Sequence, residues 1–201
     1  MSRAALAAVF LLAGEARAAD RHAFELDLLA GYSGRLYPAD ADPGTTSIVN
    51  GGFGGAASVA YHASFFVHPF LDFSWLSIGC SDRTVDLGAY GGVSTAARSL
   101  SAWSLMIGPG MDVWQLRFRA GLGIYELLLH TRLLGVTASS SELQFGYLLS
   151  AAWLAWRGPP FQVGVEARFG FVTGIALLSG ANLGVFLVGA TATWDFVSWV
   201  R

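Results

Sequence analysis

Charged side chains recur at alternate positions inside stretches that are otherwise apolar. Glu25 and Asp27 lie in "FELDLLAGYSGRLY", Asp72 in "FLDFSW", Arg117 and Arg119 in "WQLRFRAGLGIY", Glu166 and Arg168 in "FQVGVEARFGF", and Asp195 in "TATWDFVSWVR". Carboxylates and guanidiniums in near balance satisfy one another away from water, whereas any one of them buried alone is prohibitive. The chemistry they offer is an ion-paired belt lining a narrow lumen. Other reactive types are sparse. His62 and His68 flank a tight turn at Ala63-Ser64 and are placed to face the lumen together, but two imidazoles are too few for a metal site. Cys80 is the only cysteine, so neither an internal disulfide nor a thiolate metal cluster can form. Neither a cofactor nor a metal is expected.

A belt needs walls to carry it. Read by twos, Trp114, Leu116, Phe118, Ala120, Leu122 and Ile124 share one side of their segment, and Gln115, Arg117, Arg119, Gly121, Gly123 and Tyr125 share the other. That period belongs to a strand, not a helix. The same alternation sets Phe24, Leu26, Leu28, Ala30 and Tyr32 against Glu25, Asp27, Gly31, Ser33 and Arg35, and Phe161 to Phe171 against Gln162, Gly164, Glu166, Arg168 and Gly170. It predicts eight strands, at roughly 23–37, 51–62, 65–80, 98–108, 113–130, 142–156, 161–178 and 183–197. Pro38–Asn50, Ser81–Ala97 and Gly135–Ser141 read as longer loops, whereas the joins near Ala63-Ser64, Pro109-Gly110 and Gly158-Pro159-Pro160 are tight. Long loops on one side and short turns on the other characterise bacterial outer-membrane barrels, and an even strand count leaves both termini on the short-turn, periplasmic side.

Composition agrees. The 201 residues are 54% hydrophobic and 13% charged with 25 glycines, unlike a soluble domain with about 25% charged residues. A net charge of -2 without a Lys/Arg cluster offers no footprint for nucleic acid. "MSRAALAAVFLLAGEARAAD" has Arg3, an apolar run from Ala4 to Ala13 and an Ala16-Arg17-Ala18 cleavage site, so residues 1–18 read as a signal peptide and 19–201 as the barrel domain.

Two rival architectures use the same strings. In a soluble sandwich or lipocalin-like barrel the apolar faces point inward, and rings such as Phe24, Phe118, Phe169 and Trp194 then crowd an interior barely wide enough for side chains, with glycines coating the outside. A helical membrane protein is suggested by Phe169–Trp194, which carries no charge over a bilayer-spanning length, but "LSGAN" at its middle reads as a hairpin loop. With apolar faces outward, Arg117 and Arg119 must point into the barrel, since each would cost roughly 2–4 kcal/mol at the lipid midplane. All eight charges then fall at one level, in the periplasmic half. Above them the inward phase offers Gly31, Gly121, Gly123, Gly170, Gly174, Leu187 and Gly189, which predicts either a lumen plugged by the belt or a small apolar vestibule closed below by it.

The chain end, with Gly189 upstream and the pair Trp194 and Phe196, resembles the terminal-strand signal of outer-membrane proteins, although Val197–Arg201 follow where such proteins commonly stop. Together with the leader and the alternating strands, the chain resembles the small outer-membrane barrels of the OmpA/OmpX/OmpW type. The resemblance implies an all-β, eight-stranded antiparallel transmembrane β-barrel, surrounded by outer-membrane lipid and lipopolysaccharide, inserted by the outer-membrane assembly machinery and monomeric. Two enzyme classes on such barrels modify lipid A with a histidine, a nearby serine and an acid. Here His130 and Glu126 match in type, but Arg132 occupies the expected serine position and only Ser139–Ser141 are near. The expectation is a non-enzymatic structural or surface protein, with a narrow barrel for a small hydrophobic ligand and a lipid A-modifying enzyme as alternatives.

Overall fold

The structure, a computed structural model, describes residues 21–36, 45–63, 67–86, 88, 92–158, 160–175 and 181–200. The leader expected at 1–18 lies outside the described residues. Nine strands are formed: β1 (Arg21–Arg35), β2 (Thr45–Val49), β3 (Gly51–Ala63), β4 (Val67–Asp86), β5 (Val93–Val113), β6 (Leu116–Leu133), β7 (Val136–Gly158), β8 (Phe161–Ile175) and β9 (Ala181–Val200). Short β2 and longer β3 lie along the same edge of β4, β2 against Cys80–Arg83 and β3 against Phe70–Leu76, so the pair acts as one stave. The staves run β4-β3-β1-β9-β8-β7-β6-β5, every neighbouring pair is antiparallel, and β4 pairs with β5 to close an eight-membered ring. Closure removes the unpaired edges that an open sheet would present to lipid, where no water can satisfy them.

The ring is inside-out relative to a soluble barrel. From Leu116 to Leu127 the burial of β6 alternates, with Arg117, Arg119, Gly121 and Tyr125 buried and Leu116, Phe118, Leu122 and Ile124 exposed. Large apolar side chains cover the outside of the other staves as well, among them Leu28, Phe73, Leu105, Leu149, Phe169 and Trp194. Aromatic rings gather at two levels of that surface. Phe53, Trp75 and Trp103 adjoin one another toward one end, with Tyr32 against Phe186; Phe24, Tyr61, Phe161, Trp194 and Phe196 cluster toward the other. Apolar walls with aromatic girdles at both interfaces are the exterior of an outer-membrane barrel. The helical alternative is overturned: Phe169–Ile175 and Ala181–Trp194 belong to two antiparallel strands, and no described helix is long and apolar enough to cross a membrane.

Parts of all three expected loop segments are strand instead, and Thr45–Val49 of Pro38–Asn50 forms β2. Ser81–Asp86 extends β4 and Val93–Ala97 extends β5; Val136–Ser141 begins β7 after a two-residue turn at Leu134 and Gly135, where φ is 52° and 80°. Positive φ at both positions matches the twist of a hairpin and suits Gly135. These extensions escape a period-two reading because most of their side chains are exposed or half-buried on both faces, so nothing forces hydrophobic alternation.

Candidate functional site

The lumen is filled in two layers. In the layer nearer the chain termini, Arg117 on β6 extends across the interior to β1. Its Nη1 lies 2.6 Å from Glu25 Oε1 and 2.7 Å from Asp27 Oδ1, while its Nε donates to Asp112 Oδ1 at 2.9 Å. Arg119 pairs with Asp27 as well, donates to Ser58 Oγ at 3.2 Å, and holds its guanidinium carbon 5.4 Å from the centre of the Phe70 ring. Arg168 on β8 donates through Nε to Glu166 Oε1 at 2.8 Å and also pairs with Asp72 on β4. Ser58 joins the two systems: its hydroxyl donates to Asp72 Oδ2 at 2.8 Å and accepts from Arg119 and Arg168, each at 3.2 Å. Thr193 donates to Asp27.

Seven of the expected belt residues, Glu25, Asp27, Asp72, Arg117, Arg119, Glu166 and Arg168, are thus buried and joined in one network. Asp195 is half-buried, faces Glu25 in the β1–β9 register beside a register shift, and has its backbone N–H bonded to the Pro160 carbonyl at 3.0 Å. Asp112, Ser58 and Thr193 were not among the expected belt residues. Asp112 falls between the strands expected at 98–108 and 113–130, whereas β5 runs on to Val113; Ser58 and Thr193 have the inward phase but carry no charge. His62 and His68 do share the interior, with ring centres 4.1 Å apart and His62 Nε2 3.5 Å from Glu25 Oε2. Among the described residues no cluster of three potential ligands could hold a metal.

The second layer is apolar. Leu29, Leu76, Ile78, Leu100, Met106, Tyr125, Leu127, Leu148, Val172, Val185 and Leu187 form a buried cluster above the charges. The inward glycines do not leave a vestibule, which corrects that expectation. A Cβ on Gly170 would lie 2.1 Å from the Tyr125 hydroxyl, and one on Gly146 would lie 2.6 Å from its ring, so these glycines make space for Tyr125. Gly174 is exposed at the end of β8 rather than lining the lumen. Beside Ser74, Tyr125 and Arg168 a void of about 10 Å³ remains, the room of a single water. An eight-stranded barrel is just wide enough for its own side chains, and here they occupy it.

His130 and Glu126 share the phase of Leu122 and Ile124 and stand on the outside of the barrel, with Ser139 opposite His130 in the β6–β7 register. Cys80 is exposed on the same flank, since Cys80 pairs with Ser99 and Ser99 with His130.

Comparison with known proteins places this geometry. No protein-family model and no curated protein matches the chain. Solved structures do. Ail, the attachment invasion locus protein of Yersinia pestis, superposes with a TM-score of 0.53 at 12% identity, covering 88% of this chain and 99% of its own. The outer membrane protein OprG of Pseudomonas aeruginosa superposes with 0.52 at 9% identity, covering 86% and 97% respectively. At such identities the likeness is one of fold: the chain shares the eight-stranded antiparallel barrel of these outer-membrane proteins, and its apolar exterior with two aromatic girdles is the surface that such a barrel turns to lipid.

Proposed function

We propose that this integral outer-membrane protein serves a structural or surface role with its lumen closed by the ion-paired belt, and is not an open porin. The observation that carries this reading is the pair of guanidiniums spanning the interior, Arg117 from β6 to β1 and Arg168 from β8 to β4, roofed by a packed apolar layer. An ion entering from the periplasm meets buried charges already neutralised by one another, and beyond them a dry layer in which a bare charge costs several kcal/mol. The belt residues act as fillers and braces, with no catalytic or metal role. Residues 1–18 are removed on export, the terminal strand is read by the outer-membrane assembly machinery, and lipid and lipopolysaccharide are the barrel's surroundings. The void beside Ser74, Tyr125 and Arg168 has the room of a single water, so it gives the ligand-binding alternative no support.

Single-channel recording of the refolded protein in a planar bilayer tests the reading. Near-silence is expected, in protein whose circular dichroism is that of β-sheet and whose gel mobility changes on heating. Steady, large openings would overturn it.

A further inference from the structure

Two stacked imidazoles lie against the ion-paired belt on its periplasmic side. β3 ends at Ala63 and β4 begins at Val67, so His62 and His68 stand at the short-turn end of neighbouring staves. Their ring centres are 4.1 Å apart and the rings are inclined by 36°. His62 keeps some contact with water, whereas His68 is only 1% exposed. Gly110, the partner of His68 in the β4–β5 ladder, makes the room. A Cβ there would lie 2.5 Å from His68 Nε2 and 3.2 Å from Arg119 Cγ. That buried Nε2 has no hydrogen-bond partner.

Imidazole is the side chain that changes charge nearest neutrality, and a proton meets different surroundings on the two rings. His62 Nε2 lies 3.5 Å from Glu25 Oε2, so a proton on His62 gains a carboxylate of β1. No ion pair of this kind forms at His68 among the described residues. Arg117 and Arg119 of β6 face it as cations. Asp112 of β5 faces it too, but that carboxylate is already shared between Arg117 at 2.9 Å and Arg157 of β7 at 3.7 Å. On the stave of His68 itself Asp72 is paired with Arg168, and Asp195 of β9 stands behind Glu25 in the β1–β9 register. A proton on His68 therefore sets another cation beside two guanidiniums and against the ring of His62, where little water can screen it.

We infer that the His62–His68 stack is an acid-released latch on the periplasmic floor of the barrel. It seals the floor while His68 is neutral. It parts when acid charges both rings, and periplasmic water then reaches Glu25, Arg117 and Arg119. The sign follows from where the second proton can sit. Only the opened floor accepts it on His68, so acid favours opening, and the stability that the latch contributes is complete above the ordinary imidazole range and is lost as pH falls below it. His62 holds its proton beside Glu25 with the floor closed, so the slope belongs to His68. The latch and the apolar layer lie on opposite sides of the belt, so acid loosens the floor whether or not the lumen above stays silent to ions.

Urea unfolding and amide exchange at roughly pH 7.5 and 5.5, in one detergent and with folding verified by heat-modifiable mobility, test it. One imidazole with the ordinary pKa of about 6.5 in the opened state raises the opening equilibrium about tenfold across that interval. The unfolding equilibrium constant of the unaltered protein should rise by that factor. Amides at 59–62 and 68–70, corrected for intrinsic exchange, should lose protection in acid with the weak urea dependence of a local opening. His68→Phe keeps a ring against His62 and should flatten the pH response, and His68→Gln should do the same. The remaining histidines are His22 and His130, and His22→Gln/His130→Gln should keep the tenfold rise. A pH-independent unaltered protein overturns the inference, as does protection at 59–62 and 68–70 that acid leaves unchanged. A tenfold rise that persists in the folded His68 variants also overturns it. If neither His68 variant folds, loss of the rise in the His22/His130 double variant assigns the proton elsewhere and overturns it as well.

Discussion

Arg117 and Asp27 meet at 2.7 Å although β6 and β1 are fourth neighbours in either direction around the ring, that is, diametrically opposed. Arg168 and Asp72 join β8 and β4, which are opposed in the same way, so two guanidiniums brace the lumen along crossed diameters. Backbone pairing holds neighbouring staves, whereas these ion pairs hold staves that share no backbone bond.

Truncating one partner of such a pair strands the other. Arg119→Leu leaves the Asp27 carboxylate short of a cation in a dry interior, and a loss of about 3–5 kcal/mol is expected. Leu122→Ala on the lipid-facing wall should cost less, because lipid replaces the lost contact. Urea unfolding of both variants in one detergent measures the difference, and a neutral Arg119→Leu would show that the belt carries no strain-bearing pair.

The second brace lends itself to a double-mutant cycle. Arg168→Met and Asp72→Leu should each destabilise, and the double variant should lose less than the sum by about 0.5–3 kcal/mol, since no uncompensated partner remains between these two. Simple additivity would mean that the two side chains are not coupled across the lumen.

Bulk at the belt should govern leakage. Arg117→Ser with Glu166→Ser removes one charge of each sign and keeps the net charge while emptying volume from both sides of the network. Small but measurable conductance is expected for the folded double variant in the bilayer in which the parent is silent. A double variant as silent as the parent would assign closure to the apolar layer alone.

Overpacking should localise the role of Tyr125. Gly170→Ala brings a methyl to 2.1 Å from the Tyr125 hydroxyl, so about 1–3 kcal/mol of destabilisation is expected. Tyr125→Phe removes the atom most strongly clashed with, and in that background Gly170→Ala should cost less. Equal costs in both backgrounds, read from urea midpoints, would place the clash elsewhere.

Much of this was legible without coordinates, for a physical reason. The two-residue side-chain period is a property of the extended backbone, and a buried charge cannot face lipid, so strand phase and the inward direction of Glu25, Asp27, Asp72, Arg117, Arg119, Glu166 and Arg168 follow from residue type and spacing. The greasy exterior follows in the same way, whereas the tight join expected at Pro109-Gly110 does not: those residues pair inside β5 and the chain turns at Trp114-Gln115. Pairing was not legible. Which carboxylate meets which guanidinium depends on ring closure and stagger, which bring residues some 90 positions apart, such as Asp27 and Arg117, to the same height on opposite walls. Whether inward glycines leave a vestibule or accommodate a tyrosine depends equally on what projects from the facing stave, and Tyr125 decides it. The segment at 136–143 escaped for the opposite reason: with both faces exposed, no burial imposes a pattern, and only the β6–β7 ladder makes it a strand.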